Sequence, residues 1–98
     1  MNDMPISNDS RVVRADDVLL TRAGDQGVLV DEASGNVHVV NDTAARIWEL
    51  CEHGPTVEEL LTAMTGEYEV DAAELRPDLE GVLRTFSDLE LVTISPAL

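Results

Sequence analysis

One change of period constrains this chain more than any other feature. In GVLVDEASGNVHVVNDTAARIWELC, Gly27 to Cys51, valine-rich runs of strand type reach Val40, and beyond Asn41 the apolar residues Ala44, Ile47, Trp48 and Cys51 fall at i, i+3, i+4 and i+7. The first pattern alternates faces of a strand and the second lines one face of a helix, so no single element holds both. The sequence therefore predicts a strand followed within a few residues by a helix, with Asn41, Asp42 or Thr43 as N-cap.

Upstream, VLLTR (Val18 to Arg22) reads as a first short strand and AGDQG as a turn. GVLVDE (Gly27 to Glu32) and NVHVV (Asn36 to Val40) flank ASG as a hairpin. Downstream, HGP at His53 to Pro55 ends the first helix. Thr56 stands three residues before Glu59 as a capping box, Val57, Leu60, Leu61 and Met64 form a second helical stripe, and Gly66 is the expected stop.

A third helix is expected from about Asp71 to Glu90, with Leu75, Leu79, Val82, Leu83, Phe86 and Leu89 on one stripe. Pro77 leaves two starts open. A start at Ala72 brings a weak or kinked first turn, which the fit of Asp71 and Leu75 favours; a start at Arg76 places the proline in the first turn. LVTIS adds a short extended segment near the end. The fold class is α+β, a winged helix-turn-helix-like arrangement of a three-stranded antiparallel sheet followed by three helices. Its single domain is expected over residues 15–94, between a flexible N-terminal tail (1–14) and a C-terminal tail (95–98).

Twenty acidic residues face six basic ones, all arginine, giving a formal net charge of -14. Phosphate binding needs a basic face, so a nucleic-acid partner is not expected. MNDMPISNDS lacks a basic and apolar targeting pattern, and no stretch has the length and hydropathy of a membrane span. The expected setting is cytoplasmic, with no membrane partner.

Catalytic motifs are not found. The chain has no G-x-S-x-G elbow, phosphate loop, C-x-x-C or H-E-x-x-H pattern. Cys51 sits on an apolar stripe as a small core residue, and His53, two positions on, points to another helix face. His38 alternates with Val37 and Val39 and reads as an exposed strand histidine without companion ligands. Acidic pairs such as Glu58–Glu59 read as solvated faces, and Trp48 and Phe86 as core. No catalytic residue, metal or cofactor is expected.

The order of these pieces resembles the PqqD family over Gly27 to Val92. The resemblance rests on the junction VVNDTAARIWEL (Asn41, Thr43, Ala44, Ile47, Trp48), on Gly54 followed by Thr56 to Leu60, and on Tyr68 and Val70 before the last helix. It implies a non-catalytic recognition element for ribosomally synthesised, post-translationally modified peptides. A precursor's leader peptide would add as a strand beside the third strand, against the last helix, and be presented to a modifying enzyme: a radical SAM enzyme, a cyclase or a leader peptidase. Carried onto this chain, the groove would comprise Val37, His38, Val39 and Val40 of the strand, and Arg76, Asp78, Leu79, Val82 and Leu83 of the helix. Val40 stands where the family often has leucine, and Pro77 and Gly81 interrupt the helix that forms one wall. The alternative reading, a winged-helix DNA-binding regulator, would set Glu74, Asp78, Glu80 and Asp88 against phosphate with only Arg76 and Arg84 to offset them.

Overall fold

The computed structural model describes residues 6–96. In chain order these form β1 (Arg11–Arg14), β2 (Val18–Ala23), β3 (Gln26–Asp31), β4 (Val37–Asn41), α1 (Asp42–Leu50), a 3-10 turn (Cys51–His53), α2 (Val57–Tyr68), α3 (Ala72–Asp88) and β5 (Val92–Ser95). The handover at Asn41 takes place without a loop. Asn41 is the last residue of β4, and its side-chain Oδ1 accepts the Ala44 N–H at 2.8 Å as N-cap of α1. The end of the strand thereby fixes the start of the helix.

β2, β3 and β4 form the expected antiparallel sheet in that order. Its inner face packs on the helices through Val18 and Leu29. Gly27, paired with Val40, lets α1 come close, since a Cβ there would lie 2.8 Å from Ala45 Cβ and 2.9 Å from Leu20 Cδ1. The core is continuous: Ile47 and Trp48 of α1, Leu60 and Met64 of α2, and Leu79, Leu83 and Phe86 of α3 are all buried. Trp48 and Phe86 meet edge to face at 5.9 Å, and the Arg14 guanidinium lies 5.1 Å from the Trp48 ring centroid on the cation-attracting face.

Four boundaries differ from the sequence expectation. Arg11–Arg14, within the stretch expected as an N-terminal tail, is a strand. It pairs antiparallel with β5 and buries Val12 completely, while Val57 N–H donates to Ser10 O on the way in. Ser95, expected in the C-terminal tail, ends β5. α2 runs past Gly66 to Tyr68 and is closed by Glu69 in the left-handed region. α3 starts at Ala72, the favoured of the two expected starts, and continues through Pro77, but closes at Asp88 rather than at about Glu90. It ends before Leu89, which is 41% exposed and so leaves the buried stripe.

Candidate functional site

β4 is an edge strand: its one partner among the described residues is β3. The backbone register tells which of its peptide groups are free. Asp31 N–H donates to Asn36 O, which makes that pair hydrogen-bonded, and in an antiparallel ladder bonded and non-bonded pairs alternate. His38 opposite Leu29 and Val40 opposite Gly27 therefore bond to β3, whereas Val37 and Val39 direct their N–H and C=O groups to the open edge. These are the groups with which an incoming extended chain would pair.

Beside the end of this strand lies an open groove of about 620 Å³ between the β4–α1 junction and α3. Val40, Asn41, Thr43 and Ala44 form one wall; Pro77, Asp78, Gly81, Val82 and Thr85 form the other, with Phe86 at the base. The lining is mixed: Val40, Ala44, Pro77, Val82 and Phe86 are apolar, Thr43 and Thr85 bring hydroxyls, and Asp78 brings a carboxylate. A mid-helix glycine costs about 1 kcal/mol relative to alanine. Pro77 leaves the Ala73 carbonyl without its intrahelical donor. Both exceptions to helix chemistry lie on the groove wall.

The residues carried over from the resemblance separate into groups. Val40, Asp78 and Val82 line the groove. Val37 and Val39 offer their backbone to the edge while their side chains, 58% and 64% exposed, lie on the outer face of the sheet. His38 faces inward opposite Leu29 and is half-buried rather than exposed, outside the groove lining. Leu79 and Leu83 are fully buried and belong to the core, because the apolar stripe that identifies a helix in sequence is the stripe that the fold consumes. Arg76 turns away: its Nε pairs with Glu80, and its other nitrogens donate to the Asn8 side chain and to Ile6 O, tying down the N-terminal segment. Pro77, Gly81 and Thr85, spaced one turn apart beside the apolar stripe, take the place of the two leucines. Pro77 and Gly81 carried a signal in the sequence, the breach of helix rules; Thr85 carried none.

Electrostatics bear on what this surface meets. All six arginines are engaged: Arg11 with Gly54 O, Arg14 with Trp48 O, Arg22 with Asp42 and Glu49, Arg46 with Glu49 and Glu67, and Arg76 and Arg84 with Glu80. The bonds from Arg22 and Arg46 hold the Glu49 carboxyl below its ordinary range, and Arg46 does the same for Glu67. Burial pushes the Cys51 thiol up to about 12, with the Arg14 charge opposing weakly, so at neutral pH it is a protonated core group rather than a nucleophile. Among the described residues no group of three or more His, Cys, Asp or Glu side chains is placed to hold a metal ion, and no helix is long and apolar enough to cross a membrane.

Comparison with known proteins bears on the family and the fold. The family model described as Coenzyme PQQ synthesis protein D (PqqD) matches residues 26–92. Among solved structures, TbiB1 in complex with the TbiA(beta) leader peptide is 31% identical, with a TM-score of 0.72 over 82% of this chain and 93% of that one. A lasso peptide synthetase B1 complexed with the leader peptide is 22% identical, with a TM-score of 0.68 over 87% and 98%, and shares the fold. Among curated proteins no sequence matches.

Proposed function

Because this chain belongs to the PqqD family, we propose that it captures the leader peptide of a ribosomally synthesised, post-translationally modified precursor by strand addition along β4. It then presents the precursor to a modifying enzyme or leader peptidase, and it is itself non-catalytic. The observation that carries this reading is the open edge of β4, with the Val37 and Val39 peptide groups directed outward beside a groove walled by α3. The likeness to TbiB1, whose structure holds a leader peptide, supports it. Such precursors are made in the cytoplasm, where the encounter would occur.

Each backbone hydrogen bond made on strand addition contributes only about 1 kcal/mol net, because the free groups were already solvated. Selectivity therefore comes from side chains that enter the groove. Duplex DNA fits poorly: α3 exposes Glu74, Asp78 and Asp88, and Arg76 and Arg84 are both drawn to Glu80.

The test is titration of a panel of synthetic leaders, including the TbiA(beta) leader, followed by isothermal calorimetry. Saturable binding of a panel member with no uptake of duplex DNA is the expected result. Failure of the whole panel, or a salt-sensitive DNA shift, would contradict the proposal.

A further inference from the structure

Gly81 stands in the middle of α3, where glycine weakens a helix, and no neighbour among the described residues requires it. A Cβ built at this position meets no atom of the described residues within 4 Å, and the backbone there is ordinary helix. The open space it faces is the groove. Pro77 and Thr85 flank it one turn before and after, so the missing side chain leaves a notch in the ridge, opposite the apolar Val40 and Ala44 and beside Val82. A glycine here costs helix stability and leaves open space on the groove wall, space that a side chain of a bound strand can fill.

We infer that Gly81 is a specificity determinant: its notch admits one large apolar side chain of the bound strand, and the size of residue 81 sets the size of side chain accepted. The inference rests on the leader-binding reading and adds to it the chemistry of one subsite. Gly66 is the internal control. It too is helical with nothing within 4 Å of a built Cβ, but it lies near the end of α2 and outside the groove.

The experiment uses the full chain, the tightest binder of the leader panel, and the variants Gly81→Ala, Gly81→Leu and Gly66→Ala, read by thermal melts and calorimetry. Both alanine variants should melt a few degrees higher. Gly66→Ala should bind as the parent does, Gly81→Ala more weakly, and Gly81→Leu by about tenfold or more less tightly, since a filled notch cannot be occupied twice. An alanine scan of the leader should then reveal one large apolar position whose truncation weakens binding to the parent and costs little further with Gly81→Leu. Parent-like affinity of Gly81→Leu, or a leader scan without such coupling, overturns the inference and leaves leader recognition standing. A parent protein that binds no panel member overturns both.

Discussion

α2 and α3 pack side by side in one core, yet α2 keeps to helix rules that α3 breaks. In α2 the capping box is complete, with Glu59 N–H donating to Thr56 Oγ1 at 3.1 Å and Thr56 N–H to Glu59 Oε1 at 2.8 Å, and its glycine waits until the last turn. In α3 the N-cap Asp71 makes no side-chain cap bond, Pro77 removes a backbone donor and Gly81 removes a side chain. Both helices bury an apolar stripe of the same kind, so the core does not explain the difference. What separates them is the second face: α3 also walls the groove, and both of its internal exceptions lie there. A helix whose second face walls a groove can carry residues that leave surface open at a cost in helix stability.

The largest test of this contrast sets the two stripes of α3 against each other. Leu83→Asp should unfold the domain much as Phe86→Asp does, by several kcal/mol, because a carboxylate would be placed among fully buried aliphatics. Val82→Asp, one residue before Leu83 and half-buried at the groove, should keep a cooperative melt and lose leader affinity. Circular dichroism melts and binding isotherms on both variants separate the cases. A natively folded Leu83→Asp would erase the boundary between core and groove.

The sequence made the sheet, the three helices and the strand that borders the groove legible, because each has a strong local pattern: the valine runs, the stripe from Ala44 to Cys51, the Thr56–Glu59 box. β1 was not legible. RVVR has two apolar residues between arginines, and its partner strand, β5, lies at the other end of the chain. The groove was half legible for a related reason. Apolar periodicity finds the stripe that will be buried, so it offered Leu79 and Leu83, while the groove-lining residues Pro77, Gly81 and Thr85, though one turn apart, are a proline, a glycine and a threonine and add nothing to an apolar pattern. Arg76 was misplaced because its partner, the Ile6–Asn8 segment, becomes a neighbour only after folding.

A second test measures the caps. Thr56→Ala should cost about 1 kcal/mol, read as a lower urea midpoint, because it leaves the Glu59 N–H without its acceptor. Asp71→Ala should cost less, since no cap bond is lost. Equal losses would mean that the two helix starts do not differ in the way their hydrogen bonds indicate.

The smallest effect concerns the pair that joins α1 to α2. Arg46 donates twice to Glu67, at 2.7 Å each, and holds that carboxyl below its ordinary value of 4.5. Unfolding releases the carboxyl to its ordinary value, so in the acid range the unfolded chain binds more protons and stability falls as pH falls. The margin of the parent over Glu67→Gln should be present at pH 7 and close below pH 4.5, and it should be small because both side chains are more than a third exposed. Thermal melts across that range check it; a margin that persists at pH 3 would assign the variant's loss to packing.

The central claim is that β4 accepts a strand along its open edge, and amide hydrogen exchange tests it residue by residue. In the free protein the His38 and Val40 amides should already be protected by their bonds to β3, while those of Val37 and Val39 exchange quickly. On saturation with a binding leader peptide, protection should appear at Val37 and Val39 and change little at His38 and Val40. Binding that leaves Val37 and Val39 exchanging as fast as before would show that the peptide lies elsewhere and would contradict the account.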